Sequence, residues 1–321
     1  MDSIDFGLCM MLVVNSRIPY RELAEIFNMS TNSIHKRIKS MVDLGVIQNF
    51  NTKIGMVNFP NALSVLLFGT TEKENRADLL QNLGNYESIY NVTQASGDLY
   101  YIHSYIKHFN ELDPLLSFVK QKGEINNLEI GLVSFSPVPN TPLHESKTEN
   151  LEELGDISLS NMDYLIINAL KNNSRKSVTD VSDEIGVSTK TVRRHLSRLE
   201  DKKLIDYSID WYPDKSAVVI SIIILKLDPK SEVDKSVMMI ELRKKLGPAI
   251  LFTWNFVNLP NQILVCVWTH TMKELQEIET SLLSQNFASV KVTILINGKM
   301  FPIWRDTYLE DKVREIKNQS K

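Results

Sequence analysis

The spacing of apolar residues predicts three short helices in each of two stretches of the chain. In the later stretch, Ile166 and Leu170 lie one helical turn apart, and the polar run 172–174 ends that helix. A second helix over 178–185 ends at Gly186, a residue that accepts left-handed backbone geometry. Ser188 then caps a third helix over 189–202.

The third helix has a single apolar face, on which Val192, Leu196 and Leu199 fall at positions i, i+4 and i+7. The earlier stretch repeats this pattern after the cap Ser30, and Asn28 stands in its turn. Its apolar stripe consists of Ile34, Ile38 and Met41. Two helices joined by a tight turn of this kind form a helix-turn-helix, whose second helix enters the DNA major groove.

The two stretches are copies of each other, because 5–47 aligns with 163–205 without a gap. The offset is 158 residues, and the tripeptide Asn-Ser-Arg at 15–17 recurs at 173–175. A repeat of this length indicates that the same supersecondary unit is built twice.

Alternating apolar and polar residues follow each unit, over 47–54 and 205–211, and predict a small β-ribbon, or wing, in each. The order β-α-β-β-α-β follows each wing, which is the ferredoxin-like arrangement. In the first half these elements cover 62–68, 76–83, 89–94, 99–106, 109–122 and 128–135. In the second half they cover 218–227, 233–245, 250–256, 263–268, 272–283 and 290–296.

We therefore predict an α+β fold in which two winged helix-turn-helix domains alternate with two ferredoxin-like (βαββαβ) domains. The predicted DNA-binding domains are 1–56 and 161–213, and the predicted effector or oligomerisation domains are 57–138 and 214–303. The stretch 139–160 is rich in proline and acidic residues and is expected to be a linker with one short helix near Leu151. The expected C-terminal segment, 304–321, is a charged tail.

Composition narrows the class of protein. The chain has 321 residues, 43% of them hydrophobic, and no apolar run long enough to span a membrane. Its start lacks a basic secretory signal, and Cys9 and Cys266 lie in apolar runs, so we expect buried thiols and a cytoplasmic location. The net charge of −3 argues against general coating of nucleic acid, but only the docking face must be positive.

The third helices supply such a face, because neither carries an acid over 30–41 or 188–199. Arginine pairs with guanine and asparagine with adenine in the major groove, whereas lysine, serine and threonine suit phosphates. A basic helix alone could be an ordinary solvated surface, but two at equivalent places of a repeat favour binding of double-stranded DNA. The predicted DNA-binding residues are Asn32, Ser33, His35, Lys36, Arg37, Lys39, Lys190, Thr191, Arg193, Arg194 and Arg198, with His195 near the edge of that face.

The two repeats resemble the winged helix-turn-helix of the Lrp/AsnC (leucine-responsive, or feast/famine) family. In the second copy the resemblance lies in the runs 173–175, 181–188, 192–199 and 204–205, and in the first it lies in 15–17, 22–25, 36–37 and 44–47. The resemblance implies a transcription regulator with a ferredoxin-like effector and oligomerisation domain. Members usually carry one such pair per chain, so the duplication implies either an intramolecular pseudo-dimer or a homo-oligomer of the chain.

The resemblance also implies a small-molecule effector, such as an amino acid, near a Gly-Asp pair between the second and third strands. The matching residues are Gly97, Asp98, Leu99 and Tyr100, whereas the second half, at 258–262, keeps neither the glycine nor the aspartate. Gly97 and Asp98 would equally make an ordinary hairpin turn, which is the favoured interpretation.

The sequence predicts no enzyme, cofactor or metal site. It holds no phosphate loop, nucleophile elbow or zinc signature, and His103 and His108 are five residues apart, a spacing that fits no zinc finger. Two alternatives stay open. A branch that resembles this family, the sirohaem decarboxylases, uses the same scaffold for catalysis, and Tyr101, His103 and Tyr105 come nearest to such a site. The other alternative is an interaction adaptor that does not bind DNA.

Overall fold

The computed structural model describes residues 1–73, 76, 78–133, 138–139, 158–228, 235–285 and 287–319. The helices are α1 Ser3–Val14, α2 Tyr20–Ile26, α3 Thr31–Asp43, α4 Leu79–Gly84, α5 Leu112–Gly123, α6 Asn161–Leu170, α7 Val178–Ile185, α8 Thr189–Asp201, α9 Lys235–Leu246, α10 Met272–Leu283 and α11 Trp304–Gln319. The strands are β1 Ile47–Ile54, β2 Leu63–Thr71, β3 Ile89–Ala95, β4 Leu99–Ile106, β5 Ile125–Leu132, β6 Val138–Pro139, β7 Ile205–Trp211, β8 Val219–Leu227, β9 Ile250–Asn255, β10 Gln262–Thr269 and β11 Phe287–Met300.

Each half begins with the predicted three-helix unit, α1–α3 and α6–α8. The hydroxyls of Ser30 and Ser188 each accept a hydrogen bond from the backbone N–H three residues later, at 3.1 Å. Asn28 and Gly186 have φ of +50° and +71° in the turns between the second and third helices. Both predicted caps and both predicted turn residues are therefore confirmed.

The ferredoxin-like prediction is also confirmed in both halves. The strand orders β5-β2-β4-β3 and β11-β8-β10-β9 are the same order in each repeat. Some boundaries differ from the prediction. Helix α4 begins at Leu79 rather than at 76, and the helix predicted over 109–122 divides into a 3-10 turn, Phe109–Glu111, and α5.

Two four-stranded sheets face each other and share one core. Strand β3 pairs with β11, so the two sheets join at one side, and the Val133–Phe256 bridge and β6 on β9 connect them at the other. Apolar residues of β2, β4, β8 and β10 fill the space between the sheets, while α4, α5, α9 and α10 cover the outer faces. Strand β8 is buried on both faces, which explains its nearly unbroken apolar sequence.

The wing prediction is corrected by the structure. Each half supplies a single strand, β1 or β7, and these two strands pair with each other antiparallel. A lone strand leaves its backbone donors and acceptors unpaired, and the equivalent strand of the other half satisfies them. The β-ribbon is therefore one element shared by both halves, and no wing is formed by either half alone.

The C-terminal tail prediction is wrong for 304–319, which form helix α11. Leu309 and Val313 lie one helical turn apart, are buried, and belong to the same core as Ile166 and Leu170 of α6. Most of the charged residues that suggested a tail occupy the outer face of this helix, whereas Arg305 and Asp306 at its start are buried and paired with Asp206 and Lys53. The expected linker helix near Leu151 falls outside the described residues. Within the described residues, no helix is long and apolar enough to cross a membrane.

Candidate nucleic-acid interface

The helices α3 and α8 present one apolar and one polar face each, as predicted. Ile34, Ile38 and Met41 are buried on α3, and Val192, Leu196 and Leu199 are buried on α8. These stripes join the cores of their own three-helix units. The opposite faces are thereby directed outward.

Three basic side chains stand on the outer face of α8. Lys190, Arg193 and Arg194 are exposed, and the described part of the chain forms no ion pair with any of them. Thr191 is half-buried, and its hydroxyl lies 2.9 Å from that of the cap Ser188. These three side chains are positively charged, exposed and not held in ion pairs by the described residues, as contacts to DNA phosphates and bases require.

Arg198 and His195 are held against the first helix of the same unit by Asp163. Asp163 is fully buried, its Oδ1 lies 2.7 Å from His195 Nδ1, and its Oδ2 accepts a hydrogen bond from Arg198. Ser160 also donates its hydroxyl and its backbone N–H to this carboxylate. Burial alone would raise the pKa of Asp163, but the hydrogen bonds from Ser160 and His195, with Arg198, outweigh burial and lower it.

The first unit shows the same arrangement with different residues. On α3, Asn32, His35, Lys36 and Lys39 are exposed, and Ser33 is half-buried with its hydroxyl 2.8 Å from that of Ser30. His35 lies edge-on to the ring of Tyr20, with ring centroids 5.6 Å apart.

Arg37 forms ion pairs with two acids of the N-terminal helix in that unit. The distances from its Nη1 are 2.9 Å to Asp2 and 2.7 Å to Asp5. Arg37 and His195 are equivalent positions of the repeat, and so are Asp5 and Asp163. Sequence reasoning missed the holding role of these acids, although the alignment begins at them.

The two units meet at a pseudo-two-fold axis within the chain. Ser16 Oγ and Ser174 Oγ are 2.6 Å apart, and on the β-ribbon Phe50 is opposite Ile209. The two arginines of the repeated tripeptide cross this axis. Arg17 donates to the backbone carbonyls of residues 174 and 176, and Arg175 donates to the carbonyl of residue 18 at 2.7 Å. The chain thus holds α3 and α8 in equivalent positions on either side of an internal pseudo-two-fold axis.

The effector residues implied by the family resemblance lie on the hairpin between β3 and β4. Gly97 and Asp98 have φ of +70° and +59°, which is the geometry of a tight two-residue turn. Asp98 is ion-paired with Arg76, while Leu99 and Tyr100 are buried in the sheet. In the second half, Asn258 instead bonds to the backbone N–H of Leu132 and the carbonyl of Ile130, each at 2.7 Å.

The histidine considered for catalysis is buried in β4. His103 Nε2 lies 2.8 Å from Ser64 Oγ, its ring packs 4.8 Å from that of Tyr105, and burial lowers its pKa to about 4. Tyr101 bonds instead to Thr293 Oγ1 at 2.8 Å, and His108 is an exposed loop residue. Among the residues that the structure describes, no group of three or more His, Cys, Asp and Glu side chains could hold a metal ion.

Both cysteines are buried in the shared core, as predicted. Burial raises the pKa of Cys266 to about 12, and the pKa of Cys9 is raised by burial as well. Burial disfavours the thiolate of both residues, as expected for cysteines that pack in a core.

Comparisons with known proteins match these two units. The model of winged helix-turn-helix DNA-binding domains matches residues 1–48 and 159–206. The HTH-type transcriptional regulator LrpB of Bacillus subtilis is 27% identical over 111 residues, which are 35% of this chain and 74% of LrpB. The HTH-type transcriptional regulator FL11 of Pyrococcus abyssi is 27% identical over 98 residues, which are 30% of this chain and 65% of FL11.

The full length of the chain is similar in fold to a solved structure. The siroheme decarboxylase NirDL aligns with a TM-score of 0.57 over 98% of this chain and 99% of that chain, at 10% sequence identity. At this identity the likeness shows the fold alone. Each half thus joins one helix-turn-helix unit, matched by the winged helix-turn-helix model, to one ferredoxin-like domain, and the chain is similar to Lrp-type regulators such as LrpB in a tandem arrangement.

Proposed function

We propose that the chain is a sequence-specific DNA-binding transcription regulator, in which one polypeptide supplies both recognition helices. The observation that carries this proposal is the pair of exposed basic faces on α3 and α8, held by one β-ribbon and one pseudo-two-fold axis. A relative that carries a single unit needs a second copy to obtain two such helices, whereas this chain contains both.

The exposed side chains would divide the work of recognition. Arg193 and Arg194 suit guanine edges, and Asn32 suits an adenine edge. Phosphate contacts would come from the lysines and hydroxyls, namely Ser33, Lys36, Lys39, Lys190 and Thr191. Arg37 and Arg198 already form ion pairs with acids, so we assign them to holding the helices in place and to contacts at the edge of the groove. His35, which is on α3 with Arg37, is assigned to the same edge.

Because the two recognition helices differ in sequence, we expect a non-palindromic operator. Its two half-sites should lie about 34–36 Å apart, one turn of B-DNA. Selection of bound sequences from a random DNA pool, followed by footprinting, tests both points. Equal affinity for the selected operator and for a palindrome built from either half-site would refute the unequal roles of α3 and α8.

The proposal also concerns stoichiometry. One chain per operator is expected, and light scattering of the complex measures it. Finding two chains for each pair of half-sites would show that recognition needs a homo-oligomer, and that a single chain is not sufficient to bind both half-sites.

Effector control is the second part of the proposal. An amino acid or a similar small molecule would act at the hairpin formed by Gly97, Asp98, Leu99 and Tyr100 by competing with Arg76 for the Asp98 carboxylate. Repeating the DNA selection with and without amino acids tests this. Arg76→Ala should alter the response to an effector that acts at the hairpin.

The fold of NirDL favours one alternative, a tetrapyrrole enzyme on this scaffold. We weigh it below DNA binding because His103 and Tyr105 are packed in the sheet, whereas the basic helices are exposed. Mixing the protein with an iron tetrapyrrole and recording a Soret band separates the two. An inert adaptor, in contrast, would give no mobility shift with any promoter fragment at low salt.

A further inference from the structure

A cavity of about 570 Å³ lies where four parts of the chain meet. Its walls come from residues 58–61 after β1, from Glu87 before β3, from residues 107–108 after β4, and from α11. This volume falls within the usual range for sites that bury a small organic molecule. The cavity is remote in sequence from the Gly97–Asp98 hairpin and contains none of its residues.

Three aromatic rings form the apolar part of the wall. The ring of Phe59 stands nearly perpendicular to that of Trp304, with centroids 4.8 Å apart, and to that of Tyr308, at 5.6 Å. Trp304 cannot turn freely, because its Nε1 donates to the carbonyl of Tyr105 at 2.6 Å. These rings therefore offer a fixed aromatic corner to a ligand.

Two of the strongest hydrogen-bond donors of the wall are already engaged, while Asn61, His108 and Thr307 contribute further polar groups. Asn58 already donates through Nδ2 to the carbonyls of Gly55 and Leu204, and the Lys107 ammonium lies 2.9 Å from the Glu87 carboxylate. The N–H of Trp304 is also used, as described above. Acceptors remain, namely the Oδ1 of Asn58 and the carboxylate of Asp311, whose surface pair with Arg314 is weak because both side chains are exposed.

We infer that this cavity binds a small organic cation, an ammonium group carried on an aromatic or alkyl body. Two carboxylates against one lysine give the wall a negative excess, and aromatic rings attract ammonium ions through their π faces. An anionic ligand would have to displace Glu87 from Lys107 and would meet the carboxylate of Asp311, whose charge is offset only by the exposed pair with Arg314.

The cavity is placed to influence the second DNA-binding unit, a point that rests on the proposed function. Tyr308 lines the cavity, and its hydroxyl lies 3.3 Å from that of Tyr164 on α6. The residue before Tyr164, Asp163, holds His195 and Arg198 of α8. A cation that contacts Tyr308 therefore acts on the element that anchors α8, whereas α11 reaches the first unit through β1.

Titration calorimetry with three matched probes tests the site on the full chain. The probes are 2-phenylethylamine, 3-phenylpropionate and phenylalanine, which present a cation, an anion and a zwitterion on the same ring. We expect the amine to bind once per chain and at least about tenfold more tightly than the carboxylate, a ratio equivalent to 1.4 kcal/mol. Failure of the amine to bind, or equal binding of the carboxylate, would overturn the inference.

Variants locate the binding. Phe59→Ala and Asp311→Asn should each weaken binding of the amine by about tenfold. The control Phe109→Ala removes an exposed ring outside the cavity and should leave the affinity for the amine unchanged. Asp311 is on the surface of α11, so its variant folds even where Phe59→Ala does not. Unchanged affinity in Asp311→Asn places the amine elsewhere and refutes the site.

A DNA arm separates this inference from the proposed function. The amine should change affinity for the half-site read by α8 more than for the half-site read by α3. If the chain binds no DNA but the amine result holds, the proposed function fails and the site stands. If the chain binds DNA but not the amine, the proposed function stands and the cation site fails.

Discussion

Ser16 Oγ and Ser174 Oγ lie 2.6 Å apart, and the 158 residues that separate them equal the offset of the internal repeat. Two residues that are equivalent in a repeat can touch only where the symmetry axis passes between them. The contact therefore marks the pseudo-two-fold axis of the chain, and both hydroxyls are fully buried there.

The two hydroxyls at the axis should be energetically coupled, so that each single removal destabilises the fold by more than half of what the double removal costs. Ser16→Ala leaves the buried Ser174 hydroxyl without its partner, which costs about 1–3 kcal/mol in the free energy of unfolding. The double variant Ser16→Ala/Ser174→Ala should lose less than the sum of the two single losses. Urea unfolding of all four proteins measures the coupling, and strict additivity would mean that the hydroxyls do not interact.

The carboxylate of Asp163 should make the stability of the second helix-turn-helix unit depend on pH in the acidic range. Its pKa is lowered in the folded chain, so it stabilises the fold above its ordinary value of 3.8, and this stability is lost as pH falls through the lower folded value. Asp163→Asn should cost about 1–3 kcal/mol at neutral pH and flatten the pH dependence below pH 4. Thermal unfolding from pH 7 to pH 3 measures both effects.

A control for that experiment is Asp183→Asn, at an exposed position on α7. It should leave both the stability and its pH dependence unchanged. If Asp163→Asn behaves in the same way as Asp183→Asn, then Asp163 does not hold α8.

The exposed basic residues of α8 should affect DNA binding in two different ways. Arg193→Ala or Arg194→Ala should cost about 1–3 kcal/mol of binding free energy if the residue contacts a base, and should relax specificity at one position. Lys190→Ala should instead weaken binding to all sequences. It should also reduce the slope of log affinity against log salt concentration by about one.

Fluorescence anisotropy over a range of salt concentrations distinguishes these effects. Lys273→Ala on α10 removes an exposed charge far along the chain from both units and should change neither quantity. Unchanged affinity in all three α8 variants would contradict the assigned docking face.

Helix α11 should stabilise the second DNA-binding unit through Leu309. This side chain is 2% exposed and packs in the same core as α6 and α8. Leu309→Ala should cost about 2–5 kcal/mol, whereas Arg314→Ala on the exposed face of α11 should cost almost nothing. Hydrogen exchange should show faster exchange in 161–201 than in 3–43, and equal protection of the two units would argue against a specific anchor.

The sequence alone determined the local elements and their repetition. Periodic apolar residues and the caps Ser30 and Ser188 decide where α3 and α8 begin and which face each one buries, because these effects act within a few residues. The same reasoning identified the exposed basic residues, since Lys190, Arg193 and Arg194 lie opposite a stripe that must be buried. The order of the ferredoxin-like elements followed from the same periodicities.

Only the tertiary structure decided how the halves meet. Strands β1 and β7 pair across the chain, and no local pattern can say which strand satisfies the backbone groups of another. Helix α11 was missed because charged residues dominate its sequence, while the burial of Leu309 and Val313 follows only from their packing with α6 in one core. Arg37 and Arg198 looked free along the chain, yet each is paired with an acid about 35 residues away. Periodicity reports which face of an element is buried, and packing decides what that face meets.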